Sequence, residues 1–194
     1  MKKIILGVGT GRCGTVSLSN LLNFQEDCSV SHELSGKSVD WYGGENQFKI
    51  IERSILSYPT KFIGDVSFYH LPFLKYFCDK NEDIKIIILK RNKQEVIESF
   101  QRKAPLYDHW RENNGHEFRK AHWDRCFPKF NAPNRHSAIG LYYDHYYSEC
   151  EKLDQSKCFW IQTPELNDEA RITEMLSWCG FENPIFKKFH KNRT

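Results

Sequence analysis

Lys3-Ile4-Ile5-Leu6-Gly7-Val8-Gly9-Thr10-Gly11-Arg12-Cys13-Gly14-Thr15-Val16-Ser17-Leu18 decides the fold. A short apolar run over 3–8 stops at a glycine-rich loop, and the loop opens into a leucine-rich helix. Glycines at 9, 11 and 14 permit unusual backbone angles and close approach, while the free N–H groups of the helix start face an anion. The stretch reads as a buried strand delivering the chain to a phosphate cradle.

The outer glycines of a Walker A loop are present as Gly9 and Gly14, but Thr15 stands where that loop requires lysine. The cradle is therefore not built for ATP and magnesium in the usual way. A second apolar run, Ile84-Lys85-Ile86-Ile87-Ile88-Leu89, reads as another buried parallel strand, with shorter candidates at 28–31, 61–64 and 158–162. Helical stripes lie between them. Leu18, Leu21 and Leu22 form one, Phe48, Ile51 and Ile55 another. Ile139, Tyr142, Tyr143, Tyr146, Cys150 and Leu153 line a later helix. Ile172, Met175, Leu176 and Cys179 line the last, which Gly180 ends. The aromatic and methionine positions read as core rather than ligand contacts. Asn92 with Glu95 predicts a capping box opening a helix to about Lys103. Alternating strands and helices imply an α/β fold: three layers, αβα, around a central parallel sheet, with the phosphate loop after the first strand and ligands beyond the carboxyl ends of the strands.

Length and charge set the outer limits. At 194 residues the chain reads as one domain, 1–194, with a real core. A net charge of +3 does not call for nucleic acid. Lys187, Lys188, Lys191 and Arg193 near the C-terminus are either a solvated tail or a clamp on an anion. Seven scattered cysteines suit reduced thiols in a cytoplasm better than a disulfide framework or a zinc site. The opening Met-Lys-Lys-Ile-Ile-Leu runs into the glycine loop without the apolar core of a signal peptide, and no stretch approaches the ~20 apolar residues of a membrane span. Residues 104–136, crowded with His109, Trp110, Asn113, Asn114, His116, His122, Trp123, Pro128 and Pro133, lack periodicity. They form either a lid that covers a substrate or a long surface excursion.

The chemistry lies in two places. Arg91 stands at the end of the 84–89 strand and Ser99 on the helix that follows, a planar cation and a hydroxyl suited to a phosphate. Together with the glycine loop they resemble the sulfotransferases that use 3′-phosphoadenosine-5′-phosphosulfate (PAPS). In that family a loop of the type G-x-x-[KR]-[ST]-G-T-[TS] holds the 5′-phosphosulfate. Gly9, Thr10, Gly11, Arg12, Cys13, Gly14, Thr15, Val16 and Ser17 match it, with Arg12 at the basic position. An Arg and a Ser eight residues apart hold the 3′-phosphate, the spacing of Arg91 and Ser99. Thr163-Pro164-Glu165-Leu166 occupies the place of the family's late Tyr-Glu-Asp-Leu, and a helix and a basic tail with His190-Lys191-Asn192 follow.

The resemblance implies transfer of a sulfuryl group from PAPS to a hydroxyl or amine of a small-molecule, carbohydrate or peptide acceptor, without a metal. Loop N–H groups and Arg12 would stabilise charge building on the leaving phosphate. The family's base is usually His or Glu, which points to Glu33 first and His32 second, past the second strand. His70 and Asp65 are alternatives. Val16 stands where many relatives carry a second hydroxyl, so one phosphate contact is missing unless Ser17 supplies it. The third-strand region Phe62–Ser67 lacks a lysine found in many of them, which implies that Arg12 acts alone, that the enzyme is slow or that its acceptor is unusual. Two other readings remain: a non-catalytic module holding a nucleotide or sulfated ligand, and a nucleotide kinase, which the missing lysine disfavours.

Overall fold

Strands that are apolar at every position must be covered on both faces, and this architecture covers them. The computed structural model describes residues 2–103, 108–112 and 121–188. Among these, five parallel strands, β1 (Lys3–Val8), β2 (Cys28–His32), β3 (Phe62–Val66), β4 (Lys85–Lys90) and β5 (Cys158–Gln162), form one sheet in the order β2-β3-β1-β4-β5. The helical elements in chain order are α1 (Thr15–Asn23), a single turn α2 (Glu33–Gly36), α3 (Gly44–Leu56), α4 (Leu74–Lys80), α5 (Lys93–Lys103), a short α6 (Ala121–Asp124), α7 (Arg135–Glu151) and α8 (Glu169–Cys179).

The side chains of each central strand divide between two cores. Ile4, Leu6 and Val8 of β1 and Ile86 and Ile88 of β4 pack with residues of α3, α4, α5 and α7. Ile5, Ile87 and Leu89 point the other way, into a cluster with Leu18, Leu21 and Leu22 of α1 and Ile172, Met175 and Leu176 of α8. This is the expected three-layer α/β fold. β2 and β5 lie at the sheet margins and are correspondingly less buried. The observed β3 and β4 begin and end within two residues of the spans expected from sequence, and β1 and β5 match them.

One close approach fixes the sheet's centre. Gly64 of β3 pairs in register with Ile5 of β1. A Cβ there would lie 1.7 Å from the Ile5 carbonyl oxygen, so no other residue fits.

β1 is flanked by β3 on one side and β4 on the other, so the chain leaves it at a topological switch point. The loops at that edge have left the ladder, and their backbone groups need other partners. α7 supplies them. Its stripe of tyrosines is core, as expected, and each hydroxyl is also spent on backbone of these loops or of the end of β4. Tyr142 donates to the Thr10 carbonyl at 3.1 Å, Tyr143 to that of Arg91 at 2.7 Å, and Tyr147 to that of Leu89 at 2.7 Å. Tyr146 accepts from the Gly9 N–H at 3.0 Å and donates to the Phe68 carbonyl at 2.9 Å. From the other side, the Thr163 hydroxyl donates to the Cys13 carbonyl at 2.7 Å.

The first half of the expected capping box forms, with Asn92 Oδ1 accepting from the Glu95 N–H at 3.3 Å. The return half does not, because the Glu95 carboxylate accepts from Arg91 Nε at 2.7 Å instead; a charged donor outbids a backbone amide.

The described part of 104–136 is packed down. Trp110, Cys126 and Phe127 are buried, Phe127 stacks on Phe68 at 4.5 Å, and the Trp41 N–H donates to the Arg125 carbonyl at 2.7 Å. Asn113, Asn114 and His116 lie outside the described residues, as do His190, Lys191, Asn192 and Arg193. The side chain of His122 is likewise not described.

Two substitutions test this arrangement. Gly64→Ala should cost at least about 3 kcal/mol or abolish cooperative unfolding, and an ordinary urea transition would contradict the close approach. Tyr146→Phe leaves the Gly9 N–H buried and unpaired, so it should lower stability by about 1–2 kcal/mol in urea titration; a change under about 0.5 kcal/mol would show that the hydroxyl holds nothing.

Candidate functional site

The loop after β1 is shaped to receive an anion. Gly11 (φ 81°), Arg12 (φ 58°) and Gly14 (φ 98°) adopt left-handed backbone angles, which wrap 9–14 round the open end of α1. Gly14 caps that helix, whose first turn carries no acidic residue, so its positive dipole end has no countercharge of its own. Gly9, Thr10 and Cys13 are buried beneath the loop, and burial pushes the Cys13 thiol up to about 12, which makes it inert. Thr15, Val16 and Ser17 form the first turn of α1. Thr15 is buried, while Val16 and Ser17 are half-buried on its outer side.

The two sequence motifs meet. Arg12 Nε donates to Ser99 Oγ at 3.0 Å, and Arg91 Nη1 donates to the Arg12 carbonyl at 3.0 Å. Arg91 follows the end of β4, and Ser99 reaches Arg12 from α5. Burial, then the neighbouring Arg91 and Arg102, push the Arg12 guanidinium below its usual range. Cations gathered this closely, with Glu95 on Arg91 as a partial countercharge, form a site that favours a dianion.

Across the loop lie the candidate bases. His32 Nε2 is 3.1 Å from Thr15 Oγ1 and 3.9 Å from a Glu33 carboxylate oxygen, and burial lowers its pKa despite the charge of Asp65. Glu33 follows β2. Burial first and Asp65 second raise its carboxyl to about 7, with Arg12 pulling the other way. This is the range in which a carboxylate can take a proton at neutral pH and still be partly ionised.

Asp65 and His70 do not share that exposure. Both side chains are fully buried, with His70 Nε2 at 2.7 Å from Asp65 Oδ2. The remaining Asp65 oxygen accepts from Ser31 Oγ at 2.5 Å and the Leu34 N–H at 2.8 Å. Neither group is open to an acceptor, which corrects their standing as alternative bases.

Sequence reading missed the tyrosine hydroxyls, Thr163 on the loop, and the left-handed turn after β2. One signal was available. Tyrosine in place of phenylalanine at buried positions of the 142–147 stretch implies hydroxyls in search of partners. Among the described residues, no group of three or more His, Cys, Asp or Glu side chains is placed to hold a metal ion, and no helix is long and apolar enough to cross a membrane.

No protein-family model matches the chain, and no curated protein matches it in sequence. Solved structures do. A sulfotransferase from Alicyclobacillus acidocaldarius superposes with a TM-score of 0.56 at 15% identity, over 98% of this chain and 87% of that one. Mouse sulfotransferase SULT7A1, complexed with PAP, gives a TM-score of 0.55 at 14% identity, over 94% of this chain and 60% of that one. Identities this low speak for the fold alone, and with the glycine loop following its first strand the chain has the fold of the sulfotransferases.

Proposed function

We propose that this protein is a PAPS-dependent sulfotransferase that moves a sulfuryl group to a hydroxyl or amine of a small-molecule, carbohydrate or peptide acceptor. The observation that carries the reading is the convergence of Arg12, Arg91 and Ser99 within hydrogen-bond distance of one another or of their loops. Two phosphate motifs far apart in sequence share one rim. The donor set fits: a PAPS molecule brings two separate anionic ends, and the chain offers a cradle at the α1 N-terminus and a second cationic group on β4 and α5.

In this reading the N–H groups of 11–17, with Arg12, Thr15 and Ser17, hold the 5′-phosphosulfate, and Arg91 with Ser99 holds the 3′-phosphate. When bound, the donor supplies an activated sulfuryl group, whose S–O bond to the 5′-phosphate breaks as a bond to the acceptor oxygen or nitrogen forms. Arg12 and the loop amides stabilise the electron pair left on the phosphate oxygen. Glu33 takes the proton that the acceptor loses, and His32, neutral and bound to Thr15, lies between base and cradle. Within the described part of 104–136, Cys126 feels the charge of Glu33, and we assign that part to the acceptor site. The whole chain then acts as one catalytic domain. Seven cysteines, none joined in a disulfide, favour a cytoplasmic setting.

Calorimetry with 3′-phosphoadenosine 5′-phosphate tests the donor site. Binding heat is expected for the intact protein, with Arg12→Ala and Arg91→Ala each weakening affinity at least about tenfold. No heat from the intact protein, or heat with ATP and magnesium only, would contradict the proposal.

Glu33 gives a second test. The folded chain holds this proton up to about 7, against an ordinary 4.5. Between those values the folded state binds more protons than the unfolded one, so the stability it contributes is full below 4.5 and is lost as pH rises through 7. Glu33→Gln should therefore raise stability at about pH 8 by roughly 3 kcal/mol, with little change at about pH 4, while lowering kcat by about 10²–10⁴. Equal urea midpoints at both pH values, or an unchanged kcat, would remove Glu33 from this role.

A further inference from the structure

The turn that carries Glu33 runs against backbone preference. Glu33 (φ 50°), Leu34 (φ 44°), Ser35 (φ 60°) and Gly36 (φ 90°) lie consecutively in the left-handed region, and the Lys37 N–H closes the turn on the Glu33 carbonyl at 3.1 Å. L-residues other than glycine resist this conformation, so the surroundings must impose it. Leu34 is anchored at both ends. Its side chain is buried in the core, and its N–H donates to Asp65 Oδ1 at 2.8 Å.

Asp65 is the hub. Ser31 Oγ on β2 and the Leu34 N–H meet one of its oxygens, and His70 Nε2 meets the other. His70 Nδ1 has no hydrogen-bond partner, which is consistent with Nε2 carrying the hydrogen that the carboxylate accepts. Buried polar groups satisfied on three sides are rigid, and this one sits directly behind the turn.

We propose that Asp65, oriented by His70, is a positioning residue that holds the left-handed Glu33 turn in place and imposes its own negative charge on Glu33. This deepens the reading of Glu33 as the base and rests on it. Among the described residues, the charged and titratable groups coupled electrostatically to Glu33 or next to it are Arg12 from the loop after β1, His32 on β2, Asp65 on β3, Tyr69 in the segment after β3, Cys126 after α6 and Tyr142 on α7. Arg12 is the only one of these whose charge favours the carboxylate, and Asp65 opposes it. The two set the proton affinity of Glu33 between them, on top of burial.

The experiment is a carboxyl titration by ¹³C NMR of protein labelled at glutamate Cδ, with the Glu33 signal assigned by its loss in Glu33→Gln. The intact protein should titrate near 7. Asp65→Asn keeps an oxygen for Ser31 and Leu34 but removes the charge, so the Glu33 midpoint should fall by on the order of one unit. The acidic limb of the kcat/KM profile should move with it. Ser35→Gly, at an exposed position of the same turn, relieves strain and provides a stabilised background for the measurement if Asp65→Asn alone folds poorly. A Glu33 midpoint unmoved by Asp65→Asn in a folded protein overturns the proposal, even if sulfuryl transfer is established. A midpoint that falls in a protein with no transferase activity upholds the coupling and removes only the catalytic reading beneath it.

Discussion

Backbone that leaves a sheet must find partners for its N–H and C=O groups, and at the edge of this sheet a row of tyrosine hydroxyls meets that need. Tyr142, Tyr143, Tyr146 and Tyr147 of α7 reach the loops after β1 and β4, the end of β4 itself and the segment after β3. Thr163 closes the glycine loop from the opposite side. A loop built from glycines has little stiffness of its own. Its shape here is borrowed from a helix more than a hundred residues away in sequence, and the N–H groups left unbonded by that scaffold are the ones free to face an anion.

Two costs are held within the same rim. Arg12 and Arg91 are crowded together near Arg102, and burial works against the Arg12 charge. Glu33 is half-buried on a strained turn beside a fully buried carboxylate. Each is unfavourable alone. Placed on either side of the α1 N-terminus, they set a cationic cluster near a carboxyl raised to about 7, the two features that the proposed transfer calls for. Gly64 makes the arrangement possible by letting β3 approach β1, which brings Asp65 behind the Glu33 turn.

Much of this was legible from residues alone. The strand over 3–8 and the cradle that follows were readable because apolar continuity and glycine spacing are local signals. That Arg91 follows a strand and Ser99 lies on the next helix was readable from the strand-to-helix junction, but that Ser99 would meet Arg12 was not. What escaped was long-range. The partners of the tyrosine hydroxyls depend on where α7 lands, and the periodicity of the stripe announces only that it is buried. The Glu33 turn escaped because Glu-Leu-Ser carries no left-handed signature; Gly36 was the one hint. Asp65 and His70 looked like strand-end polar groups free to act, and only the fold shows them enclosed and fully occupied. Glu95 satisfied the capping pattern in sequence but turned to Arg91, since a guanidinium competes for a carboxylate better than a backbone amide does.

The central claim is that one rim anchors a donor at both of its phosphates. A crystal structure of the protein with 3′-phosphoadenosine 5′-phosphate addresses it most directly. The account predicts the 5′-phosphate on the amides of 11–17 beside Arg12, and the 3′-phosphate on Arg91 and Ser99, with Glu33 facing the open side of the cradle. A nucleotide bound elsewhere on the protein, or one whose 3′-phosphate points away from Arg91 and Ser99, would contradict it.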